Sequence, residues 1–264
     1  MRLFFSFVLL SSLLCPAGQA LAHFGMVLPS QSLIMDVGTA NLTLDLKFWH
    51  PFVNEGMDLE KPAAFTVYHN GKTKNLLPGL KEGSEQGKRV WQGNYAVKEP
   101  GLYAFVMEPR PYFEKEEDRW ILHYTKVYAQ AFGDDADWFE PLGIKAEIVP
   151  LTPPGDLYAG NIFQGRVLID GKTVPEAEVE IEWYPGRDKK GQAPFASLIT
   201  QTVRADASGT FSFVAPRSGW WGFAALSHDG KTLPLDGKEK PVEIGGVLWV
   251  FFHELLPALP LAGK

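Results

Sequence analysis

The sequence predicts an all-β protein made of two β-sandwich domains that follow a cleaved signal peptide. Short runs rich in Val, Ile, Phe, Tyr and Trp alternate with Gly, Pro and Asn-Gly or Asp-Gly punctuation along the 264 residues. An Asn or Asp followed by Gly supplies the two positive-φ positions of a tight hairpin turn. Such pairs occur at 70–71, 170–171, 229–230 and 236–237. No helical periodicity is sustained over three turns, which favours sheet over helix.

The first residues predict a secretory signal peptide over residues 1–22. Arg2 precedes an apolar run over residues 3–14, and the small-residue stretch Ala-Leu-Ala follows at 20–22. The apolar run is too short to span a bilayer, which needs about 20 apolar residues. Cleavage after Ala22 removes the only cysteine of the chain. We therefore predict a periplasmic protein without disulfides, whose first residue is His23.

The domain boundary is predicted at residues 150–155, a stretch that contains three prolines. Proline stiffens the chain and cannot donate to a sheet ladder, so this stretch suits a linker. The predicted units are an N-terminal β-rich domain at 23–149, a sandwich domain at 156–252 and a tail at 253–264. The apolar stretch before the tail is predicted as a buried last strand and not as a membrane anchor, because His253, Glu254 and the prolines at 257 and 260 interrupt the apolar run.

Candidate strands are assigned from period-two alternation and from β-branched and aromatic content. In the first domain they are 42–48, 65–68, 102–107 and 126–132. In the second domain they are 162–169, 179–184, 199–205, 210–215, 222–226 and 247–252. With Pro-x-Ala-x-Val at 175–179 and Asp-x-x-Gly-x-Phe at 206–211, the second domain resembles the transthyretin-like or carboxypeptidase-regulatory-like sandwich. Such modules are mostly structural, so the chemistry is assigned to the first domain.

Charge and motif content limit the function classes. Without the signal peptide the chain carries 24 basic and 31 acidic residues. This weakly acidic balance argues against a nucleic-acid partner and is compatible with cationic ones. The chain has no Gly-x-Ser-x-Gly elbow, phosphate-binding loop or His-Glu-x-x-His motif, and no cysteine nucleophile remains after cleavage. The sequence therefore predicts a protein that is not an enzyme.

His23 is the main candidate for chemistry, because cleavage after Ala22 gives it a free amino group beside its imidazole. The amine and Nδ1 of one histidine can close a six-membered chelate ring around a metal ion. The amine has a reference pKa of about 8, so metal and proton compete for it at neutral pH. A cut site that happens to precede a histidine is the simpler alternative.

His50 and His123 are the two further candidate ligands. His50 lies in K-F-W-H-P-F at the end of a predicted strand, where flanking aromatic side chains could orient and shield an imidazole. His123 lies in W-I-L-H-Y-T within another strand. Each taken alone is better explained as a buried structural histidine. Three histidines in one domain favour a site for nickel, cobalt, copper or zinc over one for calcium or magnesium.

The other polar candidates are weaker. His69 and His228 come just before hairpin turns and are predicted to be exposed loop residues, and His253 falls in the tail. Glu55 and Asp58 come soon after the K-F-W-H-P-F stretch and could complete a metal shell or attract the cation.

Five stretches together resemble a known family. They are H-F-G-M-V-L-P-S from 23, K-F-W-H-P-F from 47, G-M-D-L-E-K-P from 56, H-Y-T-K-V-Y-A-Q-A-F-G from 123 and R-S-G-W-W-G-F-A-A-L from 217. They are similar to the periplasmic components associated with bacterial nickel and cobalt uptake, within a larger domain family of unknown function that often accompanies energy-coupling-factor transporters. The resemblance implies a soluble protein that binds Ni²⁺ or Co²⁺ and delivers it to a membrane-embedded uptake transporter. It also implies that His23, His50 and His123 are the ligands.

Two alternatives from other classes stay open. An N-terminal histidine and a second histidine are the minimal ligand set of a copper histidine brace, which is an oxygen-activating enzyme site. A third imidazole argues for a closed binding site over such an open redox site. The other alternative is a structural or carbohydrate-binding pair of sandwiches that holds no metal.

Overall fold

Nearly all of the regular secondary structure in the described residues is β-strand, which confirms the predicted all-β sandwich class. A computed structural model describes residues 22–36, 40–133 and 138–255. The predicted signal peptide before Ala22 and the predicted tail beyond Leu255 lie outside the described residues. Within the described ranges, no helix is long and apolar enough to cross a membrane.

The strands up to residue 150 include all four that the alternation predicts. They are β1 Phe24–Pro29, β2 Leu33–Ile34, β3 Asn41–His50, β4 Glu55–Met57, β5 Ala64–His69, β6 Lys72–Asn75, β7 Lys81–Glu85, β8 Lys88–Ala96, β9 Gly101–Glu108, β10 Tyr112–Glu114, β11 Arg119–Ala131 and β12 Ala146–Pro150, with a 3-10 turn at Leu77–Gly79. In β3, Leu42, Leu44 and Leu46 are buried while Thr43 and Asp45 are half-buried. One face of this strand therefore packs on a core, as its sequence pattern predicts.

The strands after residue 150 also match the predicted set, although several are longer than predicted. They are β13 Ile162–Ile169, β14 Lys172–Thr173, β15 Glu178–Tyr184, β16 Gln201–Arg204, β17 Thr210–Val214, β18 Gly219–Leu235 and β19 Lys238–Phe252, with a 3-10 turn at Ala196–Leu198. Tight turns join three hairpins where predicted, at 70–71, 170–171 and 236–237. In each of them both central residues have a positive φ, between 46° and 76°, as the Asn-Gly and Asp-Gly pairs require.

The described strands form three sheets. The first has five strands in the order β1-β3-β8-β7, with β4 beside β3. The second has ten strands in the order β16-β15-β18-β19-β11-β9-β5-β6, with β10 and β2 pairing with β11. The third has four strands, in which β13 pairs with β12, β14 and β17.

The ten-stranded sheet is the middle layer of the protein, because each of its faces packs against another sheet. Alternate residues of β19 show this division. Val247 and Trp249 belong to the core shared with the five-stranded sheet, whereas Leu248, Val250 and Phe252 belong to the core shared with the four-stranded sheet. Two cores therefore lie on either side of one sheet, and its central strands are apolar on both faces.

The middle sheet contains strands from both sides of the proline-rich stretch at 150–155. Its central pairing joins β11 from the first half to β19 from the second half in a parallel register, with His123 opposite Gly245. The division into 23–149 and 156–252 stays a prediction about folding units. For the candidate site, the pairing has one direct consequence: residues of the last strand, β19, lie beside His123.

A buried ion pair lies between the ten-stranded sheet and the four-stranded sheet. The Lys126 Nζ atom on β11 is 2.6 Å from Glu147 Oε1 on β12, and both side chains are 1% exposed. Glu147 also accepts hydrogen bonds from the backbone N–H groups of Leu142 and Gly143. Both charges are thus compensated inside the protein, as buried charges must be.

Candidate metal centre

The pairing of β1 with β3 brings two of the predicted ligands together. The strands are antiparallel with Phe24 opposite Trp49, and the same register continued by one residue places His23 opposite His50. Directly opposed residues of an antiparallel pair have side chains on the same face and in contact range. The two imidazole centroids are 4.5 Å apart. The structure therefore brings His23 and His50 side by side at one end of the five-stranded sheet.

The peptide bond predicted to be cleaved lies against His50. The Nδ1 atom of His50 donates a hydrogen bond of 2.8 Å to the carbonyl oxygen of Ala22, and Ala22 is only 7% exposed. The carbonyl carbon of Ala22 is bonded to the backbone nitrogen of His23. Cleavage at this bond would remove the acceptor of His50 and leave the new amine of His23 close to the His50 ring.

Glu114 is the third group that contacts this pair. Its Oε2 atom lies 2.9 Å from Nε2 of His23, and its Oε1 atom accepts a hydrogen bond of 3.1 Å from the backbone N–H of Glu116. A carboxylate oxygen accepts hydrogen bonds, so Nε2 of His23 carries the proton. The lone pair of the neutral His23 ring is then on Nδ1, next to its own backbone nitrogen.

The surroundings keep the His23 imidazole neutral. Burial lowers the pKa of His23 to about 4; His50 and His123 act in the same direction, and Glu114 opposes them. Burial and like charge both disfavour the protonated ring. At neutral pH the ring therefore has a free lone pair, which a metal ligand needs.

His123 lies near the pair but forms no hydrogen bond with His23 or His50. Its side chain is 2% exposed, and neither ring nitrogen has a hydrogen-bond partner among the described residues. The ring of Phe48 contacts both histidines, with centroids 5.7 Å from His23 and 5.7 Å from His123. Across the described residues, no three His, Cys, Asp or Glu side chains are arranged so that they could hold one metal ion. The assignment of His123 as a ligand therefore stays a prediction.

Glu243 faces His123 from the neighbouring strand. Its Oε1 atom is 3.6 Å from Nε2 of His123, and its Oε2 atom accepts a hydrogen bond of 3.0 Å from Arg119. Burial alone raises the pKa of Glu243, but His123 and Arg119 outweigh it and hold the pKa below its usual value. A carboxylate is thus present beside the buried imidazole.

Most of the chain matches one known family. Residues 20–229 match the model described as Domain of unknown function (DUF4198). The chain belongs to the DUF4198 family. This matched range includes His23, His50, Glu114 and His123. No curated protein matches the chain.

The solved structures that are similar to this DUF4198 chain have low TM-scores and low sequence identities. The D0-D1 domain of intimin is 12% identical, with 88% of this chain and 99% of that chain covered and a TM-score of 0.23. Dimeric latent PorU from Porphyromonas gingivalis is 10% identical over 88% of this chain and 20% of its own, with a TM-score of 0.26. The fibronectin(III)-like modules of Clostridium thermocellum CbhA are 9% identical over 84% and 95%, with a TM-score of 0.19. Similarity at this level carries no argument about function.

The carboxylates that the sequence of this DUF4198 chain suggests as additional ligands have other partners. Glu55 is exposed and lies 3.1 Å from Lys190. Asp58 accepts a hydrogen bond of 2.7 Å from the backbone N–H of Arg89. The carboxylate that does reach the histidine pair is Glu114.

The loop assignments of two of the weaker histidine candidates are wrong. His69 is not an exposed loop residue, because it ends β5 and stacks on Tyr103 with ring centroids 3.8 Å apart. Its Nδ1 atom is also 3.1 Å from the carbonyl oxygen of Leu102. His228 is exposed, as predicted, but it lies within β18 and not in a loop before a hairpin turn. Neither residue contacts the His23–His50 pair.

Two features of the DUF4198 chain fix the position of β1 beside the site. A Cβ atom at Gly25 would lie 2.2 Å from Thr125 Oγ1 and 3.2 Å from His123 Cβ, so a glycine is needed where β1 crosses β11. Trp249 donates a hydrogen bond of 2.8 Å to the carbonyl of Gly25 and fixes β1 two residues after His23. Sequence patterns do not reveal these roles, because the contacts join distant strands.

A small cavity lies beside His123. It has a volume of about 20 Å³ and is lined in part by Gly25, Phe48, Tyr112, Ile121 and His123. About 10–15 Å³ of such space is enough for one water molecule. The buried ring therefore borders space for a water-sized group.

Substitution of Glu180, a carboxylate near Glu243, is expected to change how stability depends on pH. Burial, followed by Glu243 and Glu182, raises the pKa of Glu180 from 4.5 to about 7, and its Oε2 atom has no hydrogen-bond partner in the described part of the chain. The folded state therefore binds the proton more tightly than the unfolded state, and this contribution to stability is full below pH 4.5 and is lost as the pH rises through 7. Glu180→Gln should raise the free energy of unfolding by about 1–2 kcal/mol at pH 8 and leave it unchanged at pH 4.5.

Urea unfolding at the two pH values measures this effect. Glu178→Gln is the control, because it removes an exposed carboxylate at the start of the same strand, and it should have a much smaller effect at both pH values. An equal gain for Glu180→Gln at pH 4.5 and pH 8 would contradict the assignment of the raised pKa.

Proposed function

We propose that the processed chain binds one divalent transition-metal ion and delivers it to a membrane-embedded uptake transporter. The amine and Nδ1 of His23, together with the imidazole of His50, hold the ion. The observation that carries this proposal is the contact between His50 and the Ala22 carbonyl, beside a neutral His23 ring. Cleavage at that position converts a buried amide into an amine between two imidazoles.

The donor set determines which ions fit. Amine and imidazole nitrogens suit nickel, cobalt, copper and zinc, whereas calcium and magnesium prefer oxygen ligands. Among the nitrogen-binding ions, affinity order alone favours copper. Nickel or cobalt as the cargo rests on the resemblance of the histidine-containing stretches to periplasmic components of nickel and cobalt uptake.

The position of the site suits delivery better than storage. Two ligands come from the first residue of the processed chain, one residue before β1 begins to pair with β3. The His23 side chain is 11% exposed, so the rim of the site reaches solvent. An ion held at such a terminus can pass to a partner without unfolding of either core. A periplasmic location, outside the membrane that holds the transporter, follows from the predicted signal peptide.

A copper histidine brace is the second candidate function. Two imidazoles lie beside the future amine, and in the described residues no third His, Cys, Asp or Glu side chain forms a metal-holding group with them; two imidazoles and one amine are the ligand number of such a brace. Copper-loaded processed protein with a reductant would then consume oxygen and oxidise a substrate. Metal binding without any reductant-dependent oxygen consumption favours delivery.

Titration of Ni²⁺, Co²⁺, Cu²⁺ and Zn²⁺ into the processed protein tests the proposal. Wild-type protein should bind one ion. His50→Gln should weaken binding by more than the roughly 10–100-fold that is typical for loss of an outer residue of a metal site. His228→Gln, which removes an exposed histidine, is the matched control and should bind like wild type. Equal affinities for all three proteins, or no binding at all, would contradict the proposed function and favour a structural module.

A further inference from the structure

Glu114 is the buried member of a charged hairpin. It ends β10, which pairs with β11 so that Glu114 lies opposite Arg119. The charged residues between them are at least partly exposed, whereas Glu114 is 9% exposed. Its two oxygens are both engaged, one by the backbone of Glu116 and one by His23. A buried carboxylate aimed at one imidazole nitrogen has a specific partner.

We propose that Glu114 is a positioning residue that fixes the tautomer of His23 and thereby creates the chelate. This inference rests on the proposed function. With the proton held on Nε2 by Glu114, the free lone pair of His23 is on Nδ1. Only Nδ1 can close a six-membered ring with the amine of the same residue, since Nε2 is on the far side of the imidazole. The hydrogen bond to Glu114 therefore presents the correct nitrogen before an ion arrives.

Glu114 also supplies charge that the ligands lack. The amine and both imidazoles are neutral donors, so a divalent ion bound by them keeps its full charge in a largely buried place. A carboxylate hydrogen-bonded to a ligating histidine raises the basicity of that ligand and fixes its ring orientation. The hydrogen bond from the backbone of Glu116 holds the carboxylate in this orientation. The acidic partner of the site is therefore Glu114, and Glu55 and Asp58 are not needed for this role.

Two substitutions separate the charge from the hydrogen bond. Glu114→Ala removes both and should weaken metal binding by about 10–100-fold. Glu114→Gln keeps an oxygen that accepts from Nε2 and should lose less affinity. Glu116→Ala is the control, because it removes an exposed carboxylate and leaves the backbone N–H in place. Nickel titration of the processed proteins measures these affinities.

The tautomer is measured without metal, by long-range ¹⁵N–¹H correlation spectra of the His23 ring in the processed protein. Wild type, Glu116→Ala and Glu114→Gln should show the proton on Nε2, whereas Glu114→Ala should show a mixture of tautomers. A proton on Nδ1 of His23 in the metal-free wild type would overturn the inference. Direct binding of nickel to Nε2 of His23 in the metal-loaded wild type would also overturn it. If Glu114→Ala binds nickel as tightly as wild type does, only the proposed role of Glu114 is overturned. If wild type binds no nickel, the proposed function is overturned as well.

Discussion

A chain that retains Ala22 in front of His23 is expected to bind transition metals at least about 100-fold more weakly than the processed chain, or by about 2.7 kcal/mol. A neutral amide nitrogen is not a donor, because its lone pair is delocalised into the carbonyl, so the chelate of the amine with Nδ1 is lost. The Ala22 carbonyl also keeps the hydrogen bond from His50 Nδ1 at 2.8 Å, so His50 can offer only its Nε2 atom to an ion. Competition titration with a coloured chelator measures the two affinities.

The control for this comparison is a processed chain with one alanine added after Lys264, which lengthens the protein equally without touching His23. It should bind like the processed wild type. Equal affinity of the Ala22-retaining and processed chains would show that the amine is not a ligand. Expression in the cytoplasm or with an N-terminal tag should then leave the metal affinity unchanged, whereas the proposed chelate predicts that both abolish tight metal binding.

Lys126→Met is expected to lower the free energy of unfolding by about 3–5 kcal/mol. The substitution leaves Glu147 charged, 1% exposed and without its cation, although the two backbone N–H groups still donate to it. An uncompensated buried charge is among the largest single costs in a protein interior. The urea midpoint should fall while the slope of the transition stays constant.

Lys240→Met is the matched control for Lys126→Met. Lys240 pairs with Asp118 at the same distance, 2.6 Å, but Asp118 is 65% exposed. An exposed pair contributes roughly 0–1 kcal/mol, so this variant should be close to wild type. If Lys126→Met cost no more than Lys240→Met, the buried pair would not be a significant source of stability.

The all-β class and the hairpins can be predicted from sequence because their signals are local. Asn70-Gly71 and Asp170-Gly171 form tight turns with positive φ at both positions, as the residue pairs require. The leucines of β3 alternate in burial as they alternate in sequence. These features depend on residues that are neighbours along the chain, so periodicity and turn chemistry are sufficient to find them.

The shared middle sheet cannot be predicted in the same way. The parallel pairing of β11 with β19 joins residues such as Thr125 and Val247, which are far apart in sequence. A strand pattern indicates which face is buried but does not identify the neighbouring strand. The position of Gly245 beside His123 results from this pairing, and a Cβ atom there would lie 2.6 Å from the His123 ring.

The candidate site shows the same limit. The cut site and the aromatic context predict His23 and His50 as ligands, and antiparallel pairing sets them side by side. Glu114 cannot be predicted as a site residue from the sequence, because only the three-dimensional position of the β10–β11 hairpin brings its carboxylate to His23. The turn after His69 predicts an exposed residue, but the contact of His69 with Tyr103 depends on the neighbouring strand β9.

The proposed chelate is tested most directly by anomalous diffraction from crystals of the processed protein grown with nickel. We expect one strong nickel peak, about 2 Å from the amine nitrogen of His23, from its Nδ1 atom and from an imidazole nitrogen of His50, with Nε2 of His23 hydrogen-bonded to Glu114. A peak at any other place, or a nickel ion bound without the amine of His23, would contradict the proposed chelate.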